Sequence, residues 1–125
     1  MCLIAFLPKS YAFQSLQNGE ISVDGVLFTE IETAATAIKD GSKVFIGPGV
    51  YRQGMDITAN NVVISGSFDR PHFKGAVTKN GATFNVMGDN IRLENIECSN
   101  ALHSSRKGTC VSHSGENLTV TNVYF

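Results

Sequence analysis

The sequence predicts an all-β solenoid, in which short parallel strands stack into a β-helix of about three coils behind an N-terminal capping α-helix. Two observations carry this. Residues 82–98 are written a second time at 109–125 with a constant offset of 27 residues, and a weaker copy at 55–66 matches at an offset of 29. Within the copies, Val62 and Ile64, Ile91 and Leu93, and Leu118 and Val120 alternate with polar or neutral neighbours. That is strand periodicity, over runs too short for a helix.

Taken in order, residues 1–19 read as an export signal and linker. The apolar run Cys2-Leu3-Ile4-Ala5-Phe6-Leu7 leads to Ser10-Tyr11-Ala12, a small-x-small pattern of the signal-peptidase kind, but no basic residue precedes it. The alternatives are a truncated signal and a disordered or docked tail. No run approaches the ~20 apolar residues that cross a bilayer.

Residues 20–41 form the predicted cap. Residues 21–28, broken by Asp24-Gly25, read as a short strand or hairpin. Thr29 and Glu32 then have the spacing of a capping box for a helix over about residues 30–39. Ile31, Ala34, Ala35 and Ile38 share its apolar face, and Gly41 supplies the stop. Such a helix would cover the open end of the first coil.

Residues 42–125 are the predicted coils. Tight polar corners at 87–90 and 114–117 each carry a glycine, and single-residue corners fall at Gly66, Asn95 and Asn122. The expected inward columns are Met55, Phe84 and Val111; Val62, Ile91 and Leu118; Ile64, Leu93 and Val120; and Ile96 beside Val123. Asn95 over Asn122 is the expected side-chain ladder. The chain stops after a strand with no closing cap, which reads as truncation at the C-terminus. An open end of that kind predicts end-to-end self-association.

The run Gly-Asp-Asn-Ile-Arg-Leu-Glu-Asn-Ile at 88–96 and its echo at 115–123 resemble the coils of right-handed parallel β-helix proteins of the pectate-lyase-like superfamily. The segments at 31–41 and 44–51 are similar to that superfamily's helix and first coil. The resemblance covers residues 20–125. It implies a right-handed parallel β-helix and, for function, the N-terminal part of an extracellular, carbohydrate-active protein of polysaccharide lyase or epimerase type that acts on or binds acidic polysaccharide. The alternative is a non-enzymatic adhesin, surface or phage-type binding module, because one scaffold hosts many activities. Secretion or a cell-surface location follows from either.

Composition narrows the partners. With 42% apolar and 17% charged residues and a net charge of −1, the chain is an ordinary folded domain without the electrostatic footprint of a nucleic-acid binder. Cys2, Cys98 and Cys110 are odd in number and fit no metal-binding spacing, so they read as buried or half-buried free thiols.

Insertions on one side of a solenoid build its binding face. The long corners are 69–81 and 99–108, the latter carrying His103, Arg106 and Lys107. The outward column beside them is Asp56, Asn85 and Ser112, with His72 and Lys74 nearby. The substrate-binding candidates are therefore Asp56, Asn85, Lys74, His103, Arg106 and Lys107. In the lyase-like enzymes that the resemblance points to, a lysine or arginine removes the proton α to a uronate carboxylate, whose charge is screened by calcium that acidic residues bind. No catalytic residue matches such a motif here, no acidic cluster suits calcium, and no cofactor is expected except calcium by that resemblance. His113 aligns with the inward Ile57 and Val86, so it is either pushed to the surface or a core histidine held by a polar neighbour.

Overall fold

Asp24 and Gly25 set the topology at the start of the chain. The computed structural model describes residues 16–99, 102–103, 106–107 and 109–124. Asp24 and Gly25 take φ of 50° and 87°, the successive left-handed pair that a two-residue hairpin turn requires. They join β1 (Ile21–Val23) to β2 (Val26–Phe28) in antiparallel register. The Asp24 carboxylate then accepts hydrogen bonds from Ser42 Oγ at 2.7 Å and from the Lys43 N–H at 2.9 Å. This ties the turn to β3 (Lys43–Ile46), which runs antiparallel to the other edge of β1. The Ser42 hydroxyl, then the Lys43 amide, hold the Asp24 carboxyl below its usual range. A depressed folded-state pKa means this contribution is in place at neutral pH and is lost as pH falls through the folded value.

The helix is shorter than its sequence pattern. α1 (Ile31–Thr36) has six residues, begins after Glu30 with no side-chain cap, and does not form the Thr29–Glu32 capping box. Thr33 and Thr36 turn their hydroxyls back onto the carbonyls of Glu30 and Thr33, at 3.2 and 2.7 Å. Side-chain bonds of this kind compete with the helical ladder. The chain leaves the helix at Ala37, well before Gly41. Ile31 and Ala34 are buried and pack toward β1, β2 and β5.

The remaining strands are β4 (Val50–Tyr51), β5 (Met55–Ile57), β6 (Val63–Gly66), β7 (His72–Lys74), β8 (Ala82–Val86), β9 (Ile91–Ser99), β10 (Leu102–His103), β11 (Arg106–Lys107), β12 (Thr109–His113) and β13 (Leu118–Tyr124). They form an eight-stranded sheet in the order β2-β1-β3-β6-β9-β7-β4 with β13 also on β9, a three-stranded sheet β12-β8-β5, and the β10-β11 pair. The predicted right-handed parallel β-helix is thereby corrected. The described residues form a curled, half-barrel mixed sheet with antiparallel strands at its N-terminal side and one short helix. The Asp24-Gly25 hairpin imposes the antiparallel start. In addition, β9 runs through Asn95 as one nine-residue strand instead of breaking into two.

What the repeats do encode is register. Ile64 lies opposite Leu93 and Val63 opposite Arg92, while Leu118 and Val120 lie opposite Ile91 and Leu93, all in parallel. Met55, Ile57, Val62, Ile64, Phe84, Val86, Ile91, Leu93 and Ile96 are all buried. On the edge strands the same pattern is only half covered. Val111, Leu118 and Val123 are partly buried and Val120 is 42% exposed, so Val120 is not the core residue its period suggests.

Asparagine governs the corners. Asn61, Asn90, Asn95, Asn117 and Asn122 all have φ between 53° and 62°, a region asparagine tolerates better than other L-residues. A side-chain oxygen on each corner caps the next one. Asp40 accepts from the Asn60 N–H, Asn60 from the Asp89 N–H, and Asp89 from the Glu116 N–H, each at 2.9 Å. Asn117 Nδ2 also donates to Asn90 Oδ1 at 2.9 Å. Asn95 and Asn122 occupy equivalent places in the β9–β13 register, but Asn95 spends its amide on the carbonyls of Ser67 and Gly66, at 2.7 and 3.3 Å. Gly88 is required by proximity, since a Cβ there would meet the carbonyl oxygen of Ala59.

An aromatic stack closes the core beneath β7. Tyr51 stacks on Phe73 at 5.1 Å, and Phe73 meets Phe84 edge-on at 4.8 Å. The Tyr51 hydroxyl donates to the Gly47 carbonyl at 2.8 Å. Burial pushes its pKa up from 10.0 to about 12.

Two outcomes follow for stability. Leu93→Ala should cost about 2–5 kcal/mol in a denaturant titration, whereas Val120→Ala should cost under about 1 kcal/mol; equal losses would mean that the exposed row is covered. Tyr51 binds its proton more tightly folded than unfolded, so its contribution is complete below pH 10 and declines as pH rises from 10 towards about 12. Melting temperature against pH should show that decline, and Tyr51→Phe should flatten it.

Candidate functional site

The structure separates the predicted site residues onto two surfaces. Asp56, Asn85 and Ser112 lie in register on the outward side of the three-stranded sheet. A relay of side chains fixes Asp56 and Asn85. Thr78 Oγ1 donates to Asn80 Oδ1 at 2.9 Å, Asn80 Nδ2 to Asn85 Oδ1 at 2.8 Å, and Asn85 Nδ2 to Asp56 Oδ1 at 2.8 Å. Beside Asp56 is an open groove of about 490 Å³, whose walls include Glu32, Gln53, Thr58, Thr78 and Lys79. Sequence periodicity missed Glu32 and Lys79, because neither belongs to a repeat column. Glu32 arrives from α1 and Lys79 from the turn before β8.

Lys74 is elsewhere, on β7 of the eight-stranded sheet. There His72 lies opposite Glu97 and Lys74 opposite Ser99, so four outward chemistry-bearing positions form a square across two strands. His72 Nε2 is 2.6 Å from Ser99 Oγ and 3.9 Å from Glu97 Oε2. Arg70, two residues before His72, sets its guanidinium carbon 4.2 Å from the centre of the Tyr124 ring. Arg70 Nε donates to Asn95 Oδ1 at 3.4 Å. Positive charge is thus drawn along one side of β7.

A separate strand pair follows Ser99 in the chain. β10 and β11 pair antiparallel, with Leu102 opposite Lys107 and His103 opposite Arg106. Three of the predicted site residues, His103, Arg106 and Lys107, therefore share one small hairpin. Its base is closed by a disulfide between Cys98 and Cys110, which are 12 residues apart and both buried. The expectation of free thiols is corrected for these two. Cys2 falls outside the described residues, and counting it made the pairing invisible in the sequence. The bridge exists because the hairpin doubles the chain back, bringing the two Cα atoms to 5.8 Å.

His113 occupies the register position of Val86 and Ile57. It is half-buried, and its Nε2 is shielded from solvent without a hydrogen-bond partner among the described residues. No polar neighbour holds that nitrogen. Among the described residues no three His, Cys, Asp or Glu side chains converge on a metal-sized point. No helix among them is long and apolar enough to cross a membrane. No family model, no curated protein and no solved structure matches the chain.

Breaking the bridge should be costly. Replacing Cys98 and Cys110 together by serine should lower stability by about 3 kcal/mol, the loop-entropy value for a closed segment of this order. It should also expose the 99–109 segment to limited proteolysis. Unchanged stability and protease resistance would show that the hairpin is held by other contacts.

Proposed function

We propose that the chain binds an acidic polysaccharide through the surface made by β7, the end of β9 and the β10–β11 hairpin, and that it works outside the cell or on its surface. The observation that carries this reading is the gathering of cationic residues. Arg70, His72 and Lys74 follow one another at alternate positions along β7 and its lead-in, and a disulfide-tethered hairpin adds His103, Arg106 and Lys107. One carboxylate, Glu97, sits in the facing square. In a chain whose net charge is −1, such clustering favours a ligand with negative charges at intervals. The exposed large aromatic side chains among the described residues are Phe68 and Tyr124, fewer than the row of stacking faces that single-stranded nucleic acid uses. A buried disulfide suits an oxidising compartment.

A specific observation favours binding over lyase chemistry. Removal of an α-proton from a uronate needs a base beside a screened carboxylate, and Asp56 and Lys74, two of the predicted substrate-binding residues, stand on different sheets. The reading is therefore a carbohydrate-binding module of the surface or adhesin kind.

Titration with an oligouronate at low and physiological salt tests it. Lys74→Ala, Arg106→Ala and Lys107→Ala should each weaken binding by about 0.5–1 kcal/mol, roughly two- to fivefold. Rising salt should weaken it further. Asp56→Asn should leave affinity unchanged. Binding indifferent to salt and to all three cations would overturn the proposal.

A further inference from the structure

The contact between His72 and Ser99 has a geometry that binding a polyanion does not call for. A serine hydroxyl is a poor nucleophile until a base stands within hydrogen-bond reach, about 2.6–3.2 Å. His72 Nε2 stands 2.6 Å from Ser99 Oγ. Both residues belong to hydrogen-bonded strands in fixed register, a more exact support than a loop gives. Glu97 Oε2, 3.9 Å from the same nitrogen, favours the imidazolium that forms when His72 takes a proton. Lys74, opposite Ser99 in the register and exposed, puts a cation on the neighbouring strand, beside where a carbonyl oxygen would gather charge.

We propose that Ser99 and His72 form a nucleophile–base pair that hydrolyses carboxylic esters of small acyl groups. Ser99 Oγ attacks the ester carbonyl carbon while its proton passes to His72 Nε2, and the resulting oxyanion is stabilised by the Lys74 ammonium. The intermediate collapses with loss of the alcohol, which takes the proton from His72, leaving the acyl group on Ser99. Water then attacks the acyl-serine and gives its proton to His72. The carboxylic acid leaves, and the serine oxygen recovers the proton. Ester and water become acid and alcohol, with no other reactant. The His72 and Glu97 side chains are 28% and 43% exposed, so the ester approaches from solvent, and a small acyl group is what an open surface of this kind accommodates. Glu97 acts on the same ring nitrogen as Ser99, which distinguishes the arrangement from triads whose carboxylate holds the other one.

The test uses the full chain with its disulfide intact, a fluorophosphonate probe, and p-nitrophenyl acetate. Peptide mapping should find one phosphonyl adduct, on Ser99. Acetate ester hydrolysis should fall about 10²-fold or to background in Ser99→Ala and in His72→Gln, with melting temperature recorded for each variant. Labelling of the unsubstituted chain decides the matter even if a variant fails to fold. An adduct on another residue, no adduct, or hydrolysis unchanged in Ser99→Ala would overturn the proposal. Neither measurement uses a polysaccharide, so this inference and the binding proposal stand or fall separately.

Discussion

The left-handed conformation of Asn95 is the constraint on which both surfaces of the long strand depend. Before it, Ile91 and Leu93 point inward; after it, Ile96 and Cys98 do. A strand alternates with period two, so this single residue shifts the phase by one without ending the strand. It thereby sends Arg92 and Glu94 outward on one side and Glu97 and Ser99 outward on the other. The same shift recurs at Asn122 in β13, which is why the two strands stay in register past the corner. Asn95 is held there by its amide bonds to Gly66 and Ser67. The turn of β6 into the next segment and the bend of β9 are thus one hydrogen-bonded unit.

Much of this was legible in the sequence as register and little of it as topology. Offsets of 27 and 29 residues placed Leu93 against Val120 and Ile64 because side-chain alternation is local and repeats with the strands. Whether those strands close into coils depends on how the first strands pair, and that was decided by the two residues Asp24 and Gly25 and their bonds to Ser42 and Lys43. The helix was overextended because apolar spacing continues to Ile38, while the threonine hydroxyls that end it leave no mark on hydrophobic period.

The candidate site was half legible for a related reason. Corner length pointed to Lys74 and to the 99–108 segment, which the structure joins through β9. It could not show that Asp56 and Asn85 belong to another sheet, since membership of a sheet is a property of pairing and not of composition. The disulfide was hidden by an odd cysteine count. The contact between His72 and Ser99 had one usable signal, the register that sets Lys74 opposite Ser99, and reading it required knowing that β7 lies against the second half of β9.

The order of strand addition carries a consequence for biosynthesis. β2 folds back on β1, β3 joins the free edge of β1, β6 joins β3, β9 joins β6 and β7, and β13 joins β9. Among the described strands only β9 comes to lie between two that precede it, β6 and β7, and it meets them with successive halves, Arg92–Glu94 and then Glu97–Ser99. As the polypeptide emerges from the ribosome, each new strand finds its template already made, and the growing edge always faces the segment about to appear. A sheet rich in distant parallel contacts, which would otherwise fold slowly, is thereby assembled in the direction in which it is translated.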